Sequence, residues 1–484
     1  MPSSAPKRSP SWAGAGLAAS AAAGVGMCLA FVTAEPLRND KWALLVRLAV
    51  WAVVWAFGVL CALRLPKRVA VPAVFLVAVA LRLAALAGEP ILSDDLYRYA
   101  WDGRVQISGI DPYRHPPEAP ELAGLREEWL WPGAEGCAAL QRPEGCTRIN
   151  RASVNTIYPP VAQAWFTAVY RVTGIGAHHK AWQVAGLLGD VALVALLPAL
   201  LRAYKRDERW TALYALSPVP VVEVVNNGHV DGLAALFVVL ALLAVARRRP
   251  AWAGALVGAA AMVKLYPAVV AVAFVAVLVA RRRAAPALRF VAGAAAVVAV
   301  GYLPHVAAVG LRVLGYLPGY LEEEKYGEGG RYLLAGLLGL PAGLTAVLAF
   351  AGLAGVAGWV LLRRPEVPRG CAVVLGGLLL AVTPVQPWYA VTLLAVATVA
   401  VRPAWVAVVV AGYPYFFAVL LDSPHAVAIG RVSYGLALAV ILLARRFYTP
   451  SSTTAIHNKG GDEDREGAGG LRGDCDGVHG VRGG

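Results

Sequence analysis

Two adjacent carboxylates, Asp94 and Asp95, open the stretch Ser93-Asp94-Asp95-Leu96-Tyr97-Arg98-Tyr99-Ala100-Trp101-Asp102-Gly103-Arg104. If this stretch is helical, Asp95, Arg98, Tyr99 and Asp102 fall at i, i+3, i+4 and i+7 on one face, with Asp94 and Arg98 as an i, i+4 pair beside it. An apolar run over 69–88 precedes it, so the carboxylates stand about one turn beyond the point where a spanning helix leaves the hydrocarbon. A carboxylate at such a rim, flanked by a cation and aromatic rings, can take a proton from a sugar hydroxyl. The competing reading is an interfacial helix with solvated charges and anchoring Tyr and Trp, and spacing does not separate the two.

Further along, polar residues interrupt apolar runs, where they are costly and therefore candidates for function. Glu223-Val224-Val225-Asn226-Asn227-Gly228-His229-Val230-Asp231-Gly232 marks a reversal between two apolar segments. Asn-Gly is ordinary turn chemistry, but Asn227, His229 and Asp231 together point to binding. Lys264, in Met262-Val263-Lys264-Leu265-Tyr266-Pro267, suits an anionic phosphate, with snorkelling to the interface as the alternative. Pro267 disfavours helix at Tyr266, so the chain is expected to break there. A third break, Thr383-Pro384-Val385-Gln386-Pro387-Trp388-Tyr389, either shapes a groove or is a plain turn. Asp190 lies within an apolar run and requires a partner. His178 and His179 have no carboxylate at metal-ligand spacing, and no metal or other cofactor is expected.

These residues are positioned by an apolar chain. Of 484 residues, 58% are hydrophobic and 15% charged, a charge fraction below that of soluble domains. Apolar runs over approximately 13–34, 42–63, 69–88, 181–203, 209–226, 229–246, 251–264, 266–280, 285–304, 343–362, 370–385, 388–401, 404–421 and 426–444 predict an all-α polytopic membrane bundle of about 13–14 transmembrane helices. The formal net charge of +14 is a topology signal, not a nucleic-acid footprint. Arg64/Lys67/Arg68, Lys205/Arg206/Arg209, Arg247–Arg249, Arg281–Arg283, Arg363/Arg364, Arg402 and Arg445/Arg446 all fall on one side if the N-terminus is cytoplasmic. That registration needs the segment 157–173 to lie on the membrane without crossing it.

Residues 1–446 then form one membrane domain with two long loops on the opposite, external side, 89–180 and 305–342. The second loop carries Tyr316, Tyr320, Glu322–Glu324 and Arg331, for which a solvated charge run is the plainer reading. The Gly- and charge-rich 447–484 reads as a disordered cytoplasmic tail. Cys137 and Cys146 bracket a turn in the first loop and are expected to form a disulfide in an oxidising compartment.

Five motifs carry a family resemblance: Ser93-Asp94-Asp95-Leu96-Tyr97-Arg98-Tyr99, Gly109-Ile110-Asp111-Pro112-Tyr113, Thr156-Ile157-Tyr158-Pro159-Pro160, Gly228-His229-Val230-Asp231 and Lys264-Leu265-Tyr266-Pro267. In this order, over residues 91–267, the chain resembles the GT-C glycosyltransferases that use polyprenyl-phosphate sugars, bacterial α-mannosyltransferase-like membrane enzymes above all. The chain departs from many members in having two short spans before the catalytic one. The resemblance implies a GT-C-like bundle with a large catalytic first external loop, inversion at the anomeric carbon, and an acidic residue of that loop, Asp94 or Asp95, at the catalytic centre.

On this reading the enzyme moves a hexose, mannose above others, from polyprenyl phosphate to a glycan or glycolipid acceptor outside the inner membrane of a bacterium. Membrane lipids are its surroundings and nucleic acid has no part. Asp94 is the favoured base, with Asp95 beside it. Lys264, Arg98, His229 and Arg331 are the expected donor-phosphate ligands, and no metal is required because these cations can hold a monophosphate. Tyr97, Trp101, Asp102, Tyr158, Asn227, Asp231 and Tyr266 are the expected substrate contacts. A lipid-linked sugar flippase would share the bundle but calls for paired polar residues near the midplane and inverted halves. A structural partner of an envelope-assembly complex would leave the rim residues merely interfacial.

Overall fold

The computed structural model describes residues 11–34, 41–174, 176, 178–279 and 284–447. The tail from 448 onward and the cations Arg281–Arg283 lie outside the described residues. All regular structure among the described residues is helical, as lipid demands of a chain whose backbone groups must pair within their own segment. Helix α2 (Lys41–Arg64) shows how its sequence serves two solvents. Leu44, Leu48, Trp51 and Trp55 are buried, while Val46, Val50, Val53, Phe57 and Leu60 are exposed on the other side. Both faces are apolar because one packs on α1 (Ser11–Val32) and the other meets hydrocarbon.

Among the described residues, eight helices are long and apolar enough to cross a membrane, or nine if the bent pair Pro218–Asn226 and Asp231–Ala246 is one span. The expected 13–14 is approached only by adding four shorter apolar helices, Pro250–Ala261, Tyr266–Val279, Val367–Val382 and Pro387–Ala400. At ~1.5 Å per residue a helix of 10–17 residues falls short of the ~30 Å hydrocarbon layer. Hydropathy counts apolar runs, but Pro267 and Pro387 divide those runs into pieces. Pro250–Ala261 instead packs closely on Ala284–Val309. A Cβ on Gly254 would stand 1.8 Å from the Phe290 carbonyl oxygen, so this approach requires glycine.

The two ends of the bundle differ. Helix α3 (Lys67–Ala85) begins among cations: Lys67 lies 4.0 Å from Asp207, and Arg209 donates to the Leu63 and Leu65 carbonyls. Arg206 meets Glu366 at 2.7 Å at the same end. In the last turn of α3, Arg82 pairs with Asp190 of helix His178–Ala203 at 2.5 Å with no exposed side-chain surface. Tyr214 donates to the other Asp190 oxygen, and Arg82 donates to the Ala78 and Ala215 carbonyls. Asp190 thus has its partner in a structural bolt. At the far end α3 runs out into Glu89–Asp94, where the polar breaks gather.

Candidate functional site

The site is built on α4 (Asp95–Ile107), with Asp94 at its N-cap position. Two carboxylates at a helix N-terminus sit in the favourable end of its dipole, and Ser93 Oγ accepts the Asp95 N–H at 3.2 Å. The approach to the helix is clamped from the distant reversal. Asn227 Oδ1 accepts from the Ile91 and Leu92 amides at 3.1 and 3.0 Å. Asn226 accepts from the Ile91 amide and donates to the Ala85 and Glu89 carbonyls. The reversal bends by 119° between its two helices, with Gly228 at φ +69°, a conformation side chains resist.

Asn150 joins the carboxylates: its Nδ2 donates to Asp94 Oδ1 at 3.0 Å and to Asp95 Oδ1 at 2.7 Å. The two acids nevertheless face different spaces. Asp95 lines a cavity of about 250 Å³ together with Lys264, Arg151, Tyr158, Tyr266, Tyr320, Trp388 and Tyr389. Asp94 borders a second cavity, of about 500 Å³, with Glu89, Tyr97, Arg142 and Arg148. Burial, and then the charge of Asp95, hold the Asp94 carboxyl above its ordinary value, against the opposing pull of Asn150 and Arg142. Burial pushes the Tyr158 phenol far up, so it stays protonated and donates to Asp95 Oδ2 at 3.3 Å.

In the first cavity Lys264 Nζ lies 2.7 Å from Asp231 Oδ2, 4.9 Å from the Tyr389 ring centroid and 5.9 Å from that of Trp388. The His229 ring stacks on Trp388 with centroids 4.0 Å apart and an interplanar angle of 19°. Its Nδ1 is 3.6 Å from Asp95 Oδ2. Tyr266 donates to or accepts from Thr392 at 2.9 Å and its ring faces Tyr389. Roofing the cavity, helix Leu317–Glu323 contributes Leu317, Tyr320 and Leu321. Glu323 at its end accepts a two-pronged ion pair from Arg151. Residues from four distant stretches thus meet around one carboxylate and one ammonium.

Other candidates lie elsewhere. Arg98 is buried and pairs with Asp102 at 2.9 Å, not with Asp94, and it also donates to the Arg151 and Val154 carbonyls. Its i+4 partner lies inward, where Gln163 donates to the second Asp102 oxygen at 2.9 Å. Trp101 is 1% exposed and packs edge-on to Trp131. These three residues hold the loop core together. Tyr97 faces the second cavity beneath Arg148. Arg331 is taken up by Glu324 at 2.5 Å and the Tyr415 hydroxyl at 2.8 Å and does not line the cavity. Asn227 braces the chain ahead of Asp94 and also donates to Glu223. Cys137 and Cys146 are bonded, closing the loop that carries Arg142 to the second cavity.

Asn150 and Arg151 escape sequence reading because nothing local marks them: they follow the Cys146 turn in a stretch without apolar period. Trp388 and Tyr389 lie in the aromatic-proline break, a visible but unspecific signal. His305, whose Nδ1 lies 2.7 Å from Asp111 Oδ2, ties the Gly109–Tyr113 motif to helix Ala284–Val309.

Against known proteins, the model of Glycosyltransferase family 87 matches residues 156–384, less than half of the chain. The match takes in Tyr158, Asn227, His229, Asp231, Lys264 and Tyr266, and leaves out Asp94 and Asp95. No curated protein and no solved structure matches the chain. With the spanning helices, the family match supports glycosyltransferase activity in a membrane.

Proposed function

We propose that the protein transfers a hexose, mannose above others, from a polyprenyl phosphate to a glycan or glycolipid acceptor, with inversion at the anomeric carbon. The observation that carries this is the shared cavity of Asp95 and Lys264: a base and a phosphate-binding cation stand in one small, ring-lined space. Asp95, rather than Asp94, is the general base, because it is the member of the pair that opens to the ammonium. General-base help is worth about 10²–10⁴-fold. Lys264 takes the charge that grows on the leaving phosphate, and Asp231 fixes the ammonium there.

The rings of Tyr266, Tyr320, Trp388 and Tyr389 give the sugar apolar faces, and the lipid tail stays among the neighbouring helices. The acceptor presents its hydroxyl to Asp95 within this same cavity. The cation-rich end of the bundle, taken as cytoplasmic by the positive-inside rule, supports a site on the outer side of the inner membrane of a bacterium.

Purified protein in lipid nanodiscs, incubated with labelled polyprenyl-phosphate hexoses and an envelope extract, tests the proposal. Transfer of label by the wild type and its loss in Asp95→Asn are expected. Full transfer by Asp95→Asn, or none by the wild type with any polyprenyl-phosphate hexose, overturns it.

A further inference from the structure

Behind Asp95, the reaction described so far leaves two buried ionisable groups without a task. His229 is 1% exposed, and its stack on Trp388 fixes the ring plane. The Nδ1 atom faces Asp95 Oδ2 at 3.6 Å, and Nε2 faces Glu223 Oε2 at 3.6 Å. Neither nitrogen has a hydrogen-bond partner among the described residues, although buried polar atoms are ordinarily satisfied. Glu223 is fully buried, in the π-helical turn Val221–Asn226, an irregularity that recurs at functional sites. Tyr413 donates to its Oε1 at 2.9 Å and Asn227 to its Oε2 at 3.1 Å. The other charged groups facing this pair are Asp231 and Lys264, and those two pair with each other.

A carboxylate buried at this desolvation cost, held by two donors and aimed at an imidazole, orients that imidazole. The imidazole in turn is aimed at the cavity carboxylate. We propose that Glu223 is a positioning residue of the transfer reaction and acts through His229. This rests on the reading of Asp95 as base.

As the 3.6 Å gap closes in the reacting complex, Glu223 takes the Nε2–H of neutral His229, leaving the Nδ1 lone pair toward Asp95. The acceptor oxygen bonds to the anomeric carbon as that carbon's bond to the phosphate oxygen breaks, its electron pair leaving on the phosphate. The hydroxyl proton passes to Asp95, and the Asp95 carboxyl then donates it to Nδ1. The imidazolium formed lies between two carboxylates, an acid–imidazole–acid arrangement that stabilises the positive charge where it develops. Asp95 is thereby returned as a carboxylate once it has handed its proton on.

Steady-state transfer by Asp95→Asn, Glu223→Gln, His229→Gln and the Glu223→Gln/His229→Gln double variant tests the proposal. Each is checked for folding by its thermal midpoint in detergent. Glu223→Gln is expected to lower kcat at least about tenfold, leaving the donor KM within about twofold of wild type. The double variant is expected to fall within about threefold of His229→Gln alone, because the glutamate acts only through the ring. A wild-type kcat for Glu223→Gln, or two losses that multiply, overturns the proposal.

Should Glu223→Gln fail to fold, Tyr413→Phe, which strips one donor from the same carboxylate, must lower kcat with KM held. An unchanged kcat there overturns the proposal equally. If Asp95→Asn itself transfers at full rate, the assignment of the base fails first. If Asp95→Asn is inactive while Glu223→Gln turns over like wild type, only the role of Glu223 fails.

Discussion

Lys264 Nζ stands 2.7 Å from Asp231 Oδ2, a side chain with no exposed surface. The lysine follows the end of helix Pro250–Ala261 and the aspartate begins helix Asp231–Ala246, so the ammonium is located by the packing of two helices. Removing the charge by Lys264→Met is expected to lower kcat/KM by about 10²–10³-fold, the scale of a lost charge-stabilising donor. Asp231→Asn keeps the ammonium but loosens it, and about a tenfold loss is expected. Initial rates with a labelled polyprenyl-phosphate hexose decide both.

Asn150 donates to both Asp94 and Asp95. Asn150→Ala leaves the acids without their common donor, and transfer is expected to fall by about tenfold with the protein still folded. Asn150→Asp adds a third carboxylate at hydrogen-bond distance and is expected to cost more. Wild-type rates in both variants would show that the clamp does not orient the pair.

Asp94 links the site to stability. Its folded-state carboxyl is held above its ordinary value of 3.8, so in the interval above 3.8 the native state binds more protons than the unfolded state. Stability contributed by this group therefore falls as pH rises through that interval. Asp94→Asn, which keeps an acceptor for Asn150, is expected to raise the thermal midpoint at pH 7 by about 1 °C. The gain should vanish below 3.8, where wild-type Asp94 is neutral in both states. Thermal scans across pH in detergent check the sign.

The Arg82–Asp190 bolt predicts a strong asymmetry. Arg82→Ala leaves Asp190 and its Tyr214 bond in a buried site without the guanidinium and is expected to destabilise by about 3–5 kcal/mol. Arg82→Met combined with Asp190→Leu removes both charges and is expected to recover most of that loss. Denaturant unfolding in mixed micelles measures the difference, and transfer activity in the double variant should follow folding.

Much of the fold was legible because lipid imposes simple local rules. Long apolar runs become helices, and prolines such as Pro267 and Pro387 cut them. Asp190 in an apolar run needed a partner, and Arg82 is that partner, although hydropathy gives no pairing. The span count was less legible, since a run broken by Tyr266-Pro267 has the composition of two crossings but the helix lengths of neither.

From composition, spacing and apolar length alone follow a multi-spanning helical protein, the places where polar groups interrupt it, and the acids, lysine, histidine and rings as candidates for chemistry. Those are local properties, read within a helical turn or one run. Tertiary structure decided which candidates meet. It turned Asp95 and not Asp94 toward Lys264, drew Arg98 and Trp101 into the loop core, engaged Arg331 with Glu324, and brought in Asn150 and Trp388. Packing between elements far apart in the chain sets these pairings, because shape and desolvation choose among partners that short-range periodicity treats alike.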